Sequence, residues 1–89
     1  MEKKKVWVVS KIELTEGELE ITDQEICATR DDAEGRWQEL LIDVNFALED
    51  MGADEEDIEI QYDQDNLFYQ MDYEGDTVWV VCKETDLTL

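Results

Sequence analysis

The chain has 89 residues, enough for one domain with one modest core. Its hydrophobic fraction of 43% is that of a folded protein, while its 37% of charged residues is well above the usual quarter. Seven basic residues face 26 acidic ones, a formal charge of −19, which disfavours direct binding to nucleic acid or to an anionic membrane.

The basic residues gather at the two ends. Between Ile12 and Cys82 only Arg30 and Arg36 oppose 23 acids, a charge of −21 over the body of the chain. Such a body attracts basic protein surfaces or cations. The opening Met1-Glu2-Lys3-Lys4-Lys5-Val6-Trp7-Val8-Val9 has too short an apolar run for a signal peptide or a membrane span, and a cytoplasmic protein is expected. Histidine is absent, and Cys27 and Cys82 lack the spacing of a zinc site; two buried free thiols are the expectation, a disulfide the alternative.

Two nearly identical runs, Val6-Trp7-Val8-Val9-Ser10-Lys11 and Val78-Trp79-Val80-Val81-Cys82-Lys83, bracket the sequence and are expected to lie near each other in one sheet. The first belongs to a strand over 5–14, with Val6, Val8, Ile12 and Leu14 on one face and Trp7 and Val9 on the other. Gly17 suits a tight turn into a second strand, 18–29. That strand alternates at Leu19 and Ile21, then loses phase before Ile26, and a bulge or break near Thr22 to Glu25 is the simplest cause.

Thr29 is placed to cap a helix over 31–51, with acids in the first turn and Gly52 as its stop. Ala33, Trp37, Leu40, Leu41, Val44, Ala47, Leu48 and Met51 form one apolar stripe. Asp54, Glu55, Glu56 and Asp57 make an exposed acidic connector. Ile58 to Tyr62, Leu67 to Tyr73 and Thr77 to Lys83 then read as three further strands, and the tail from Glu84 either extends the last or frays. The expected fold is α+β, one helix on one face of a mainly antiparallel sheet of four to five strands, in the order β-β-α-β-β-β. The opening Val6-Trp7-Val8-Val9-Ser10-Lys11-Ile12-Glu13-Leu14-Thr15-Glu16-Gly17-Glu18, a second strand, a helix beginning near Asp31-Asp32-Ala33 and an acidic hairpin region together resemble the small acidic β-β-α-β-β proteins of bacterial and phage genomes. The resemblance implies a fold and no activity.

No nucleophile with its base, metal cluster or phosphate-binding glycine loop is visible, and no catalysis, cofactor or metal is expected. Asp63, Asp65 and Glu74 match offsets 1, 3 and 12 of a calcium loop, but Leu67 and Phe68 occupy positions that need a ligand and a glycine. On the outward side of the helix Asp32, Glu39, Asp43 and Asp50 fall within about 40° of one another and spread over roughly 27 Å. Ile42 and Phe46 sit beside them, where a merely soluble helix carries polar residues; a partner, a second copy or a helix rolled further into the sheet would each account for the pair.

The expectation is a non-enzymatic module that binds a basic protein through Asp32, Glu39, Ile42, Asp43, Phe46, Asp50 and Asp54 to Asp57. Its most concrete form is a nucleic-acid-mimicking inhibitor of a DNA- or RNA-binding protein or defence system. A small structural or homodimeric protein with a solubilising acidic surface, and an immunity or antitoxin protein, are the alternatives. If the helix covers Val6, Val8, Val78 and Val80, then Trp7, Val9, Trp79 and Val81 form a patch on the second sheet face, to be covered by a dimer, by curling of the sheet or by a partner.

Overall fold

The computed structural model describes residues 3–88. Its elements in chain order are β1 (Lys3–Thr15), β2 (Glu18–Cys27), α1 (Arg30–Asp50), a 3-10 turn (Glu55–Asp57), β3 (Ile58–Asp63), β4 (Phe68–Tyr73) and β5 (Asp76–Thr88). The fold is α+β, with the helix packed on one face of a five-stranded antiparallel sheet of order β2-β1-β5-β4-β3. The strands that carry the two Val-Trp-Val-Val runs are therefore neighbours, with Val6 to Val9 opposite Thr85 to Cys82 and Val78 to Val81 opposite Glu13 to Ser10. The tail extends β5 as far as Thr88, and Leu89 lies outside the described residues.

Local chemistry fixes the boundaries. Glu16-Gly17 and Glu74-Gly75 are two-residue hairpin loops with positive φ at both positions, at 53° and 82° and at 50° and 86°. This backbone matches the twist of the strands it joins, and glycine supplies the second position without a Cβ clash. The loss of phase in β2 is a bulge: Lys11 pairs with Asp23 but Ile12 with Ile21, so Thr22 has no partner position. The Thr29 hydroxyl accepts from the Asp32 amide at 3.1 Å and caps the helix, whose C-terminus is closed by Gly52 at φ 71°.

β2 and β3 are opposite edges of the sheet, about 19 Å apart at normal strand spacing. The helix, about 31 Å long, carries the chain across that distance and closes the core on its way. Trp37 is fully buried at its centre and donates its indole N–H to the Val80 carbonyl at 2.9 Å. Its ring stacks on Tyr62 of the edge strand, with centroids 5.5 Å apart. Ala33, Leu40, Val44 and Leu48 join it against Val9, Cys27, Leu67, Tyr69, Met71 and Val80. Ala47 and Met51, expected in the buried stripe, are exposed, because the helix overhangs a hollow at that end lined by Lys11, Glu13, Tyr73 and Val78.

The expected division of the sheet faces needs correction. Val9 pairs with Cys82, Ser10 with Val81 and Lys11 with Val80, so odd-numbered residues of β1 share a face with even-numbered residues of β5. Trp7 and Val9 consequently lie under the helix with Val78 and Val80, Val9 fully buried. Val6 and Val8 lie on the opposite face with Trp79 and Val81. The set Trp7, Val9, Trp79 and Val81 is thus split between two faces and is not a patch.

Candidate functional site

The outward side of α1 follows from its inward side. With the core centred on Trp37, Leu40 and Val44, the positions diametrically opposite are Gly35, Ile42 and Phe46. Ile42 is 54% exposed and Phe46 60%, so the helix is not rolled into the sheet, and the two side chains stand as an apolar ridge with Asn45 and Glu49 beside them. Asp32, Glu39, Asp43 and Asp50 are all exposed and run along one flank of that ridge. Asp54, Glu55, Glu56 and Asp57 are exposed as well and continue the acidic surface beyond the helix end, three of them in the 3-10 turn.

Electrostatics set the two ends of the helix apart. Asp31 and Asp32 in the first turn suit the positive end of the helix dipole. The last turn carries no basic residue, and the acids of the connector begin at Asp54, four residues after Asp50, so negative charge accumulates at the negative end. Each such placement costs a few tenths of a kcal/mol, which a bound cation would recover.

Of the four flank acids, Glu39 is engaged within the molecule. Arg36 donates to it at 3.1 Å and to Asp23 at 2.7 Å, and its Nε lies 3.4 Å from Glu25 without hydrogen-bond geometry. The guanidinium is held firmly protonated, first by the hydrogen bond to Glu39, then by the fields of Asp23 and Glu25. This hub was not foreseen from sequence; its signal was the bulge at Thr22, which turns Asp23 and Glu25 to the helix side of β2. Charge near the N-terminal half of the helix is thereby partly neutralised. Asp43, Asp50 and the connector carry the uncompensated part.

The calcium-loop pattern does not assemble. Asp63 spends its carboxylate on its own turn, accepting from the Asp65 and Asn66 amides and from the Asn66 side chain, which hold its carboxyl below the usual range, while Glu74 belongs to a different hairpin. Among the described residues no three Asp, Glu, His or Cys side chains converge as metal ligands. Cys27 and Cys82 are free thiols on the helix side of the sheet, both pushed up in pKa chiefly by burial. No helix of the described residues is long and apolar enough to cross a membrane.

Comparison with known proteins found no matching family model, no matching curated protein and no matching solved structure.

Proposed function

We propose that this protein is a non-enzymatic interaction module whose acidic helix face docks on a basic protein surface, most concretely as an inhibitor that imitates nucleic acid. The observation that carries the reading is the exposure of Ile42 and Phe46 on the outermost line of the helix, flanked by Asp43 and Asp50. An apolar centre with a charged rim is the anatomy of an interface rather than of a solvated helix. The four flank acids alone are sparser than the one charge per 1.7 Å of duplex DNA. The connector acids, and Asp31 and Glu49 beside the ridge, raise the density toward what a phosphate-binding groove is built to accept.

Displacement of labelled duplex from a panel of basic DNA- and RNA-binding proteins, at two salt concentrations, tests this. The expected result is displacement that weakens steeply with salt, and loss of about tenfold or more in affinity on Phe46→Ala. Absence of displacement at low salt, or affinity indifferent to salt, overturns it. The compactness of the Ile42–Phe46 ridge supports a second reading, an immunity-type protein fitted to one basic toxin. There Phe46→Ala abolishes binding while Asp43→Asn and Asp50→Asn change it little.

A further inference from the structure

Among the described residues no other element packs on the side of the sheet away from the helix, although Val6, Ser10 and Thr77 there are themselves buried, and its composition is unlike that of the rest of the molecule. On β1 it presents Lys4, Val6, Val8, Ser10, Ile12 and Leu14; on β2, Leu19, Ile21, Gln24 and Ile26; on β5, Thr77, Trp79, Val81, Lys83, Thr85 and Leu87. In a chain with 26 acids, none of these sixteen positions is acidic. The acids of the same three strands, among them Glu13, Glu20, Asp23, Glu25 and Asp76, all alternate to the helix side. On this face the first acids appear only on β4 and β3, at Asp72, Glu59 and Asp63.

We infer that this acid-free face of β2, β1 and β5 is a homodimer interface, packing sheet against sheet with a second copy of the chain. Leu19, Ile21 and Ile26 are 68%, 57% and 68% exposed, which no monomeric requirement of the fold explains. The half-buried Val8, Ile12, Leu14, Trp79 and Val81 lie on the same face beside them, so the apolar surface runs across all three strands.

Charge selects the occupant. A basic partner finds no acid here and two lysines, Lys4 and Lys83, and is drawn to the helix side instead. A second copy supplies an identical apolar, nearly neutral face. Two sheets stacked about 10 Å apart leave both helices on the outside, so the acidic helix surfaces of the two copies point away from each other, separated by more than the roughly 8 Å Debye length at physiological salt, and Asp72, Glu59 and Asp63 remain on the β4 and β3 side of the packed face. The same arrangement leaves the Ile42–Phe46 ridge of each copy free.

Sedimentation equilibrium of the full chain tests the inference. The expected species has twice the 10.5 kDa chain mass, and its dissociation constant falls as salt is raised from about 0.05 to 0.5 M, because salt screens the repulsion between two copies of charge −19. This is opposite in sign to the salt effect on binding a basic partner, so the two proposals fail separately. Ile21→Glu and Ile26→Glu, both at exposed positions, are expected to weaken the dimer by about a hundredfold or more while far-UV circular dichroism stays unchanged. Phe46→Glu is expected to leave it intact. A chain that is monomeric at about 100 µM, or a dimer that tolerates Ile21→Glu and Ile26→Glu or is lost with Phe46→Glu, overturns the inference.

Discussion

Trp37→Phe isolates the contact that ties helix to sheet. The indole is fully buried, and three contributions are lost or altered together: part of the ring volume, the 2.9 Å hydrogen bond to the Val80 carbonyl, and the geometry of the stack on Tyr62. Truncation of a buried tryptophan to alanine costs about 3–5 kcal/mol, and phenylalanine retains roughly half of the ring, so about 1–2 kcal/mol is expected from packing. The hydrogen bond adds about 1 kcal/mol, since the buried Val80 carbonyl loses a donor that water cannot replace. The expected total is about 2–3 kcal/mol out of the roughly 5–10 that a domain of this size holds. In urea, with a slope of about 1 kcal/mol per M, the midpoint falls by about 2–3 M. The unfolding series is run at one fixed protein concentration, because self-association adds to apparent stability. Tyr62→Leu, at an exposed edge position, costs about 1 kcal/mol or less, and the double variant measures the coupling of the two rings. A cost below about 0.5 kcal/mol for Trp37→Phe refutes the assignment of Trp37 as the keystone of the helix–sheet contact.

Gly35 and Gly52 respond to alanine with opposite signs. Neither has an atom within 4 Å of an added Cβ, but Gly35 is mid-helix while Gly52 sits at φ 71°, so Gly35→Ala raises stability by about 1 kcal/mol and Gly52→Ala lowers it by about as much in thermal melts. Tyr69→Phe is expected to be neutral or to stabilise by about 1 kcal/mol in urea titrations, because its hydroxyl is buried without a hydrogen-bond partner among the described residues. Burial raises the Tyr69 pKa above 10, so the folded state favours the neutral phenol; that contribution is intact below pH 10 and is lost as pH rises through the folded pKa. An alkaline unfolding curve is therefore expected to flatten in Tyr69→Phe, with the residual slope arising in part from the two raised thiols. Arg36→Met leaves Asp23, Glu25 and Glu39 facing one another and is expected to cost about 1–2 kcal/mol at low salt, a loss that shrinks as salt is added.

The parts of the fold governed by local chemistry were legible in the sequence. The Thr29 cap, the Gly52 stop, the turn at Gly17 and the bulge within residues 22–25 each arise from backbone requirements that particular residues satisfy or violate. Ile42 and Phe46 could be assigned to the outside because helical geometry relates them rigidly to Trp37. The relation between strands was not legible. Alternation states which residues of one strand share a face, but the register with the next strand decides which of those faces coincide. In β1 and β5 the repeated Val-Trp-Val-Val invites alignment of like with like, whereas antiparallel pairing sets Val9 against Cys82 and places the two tryptophans on opposite sides. Arg36 was missed for the same reason, since its partners Asp23 and Glu25 reach it only through the phase that the bulge imposes.

That register also separates charge from apolar surface. With Trp7 and Val9 beneath the helix, the uncovered face receives the even-numbered residues of β1, none of which is acidic, while Glu13 falls on the helix side. The bulge at Thr22 does the same for β2: it changes the phase between Ile21 and Asp23, so that Leu19 and Ile21 on one side of it and Ile26 on the other all point to the uncovered face, and Glu18, Glu20, Asp23 and Glu25 all point away. Without the extra residue, one half of the strand would present its acids where the other half presents isoleucine. A bulge in an edge strand blunts pairing with other chains along that edge. Here it also keeps one sheet face apolar and free of acids across three strands, in a chain where nearly a third of the residues are acidic. For a solitary monomer that arrangement is unfavourable, because it leaves isoleucine and leucine in water and concentrates like charge on the remaining surface. It becomes favourable once the apolar face is buried and the acidic face is turned toward a cationic partner.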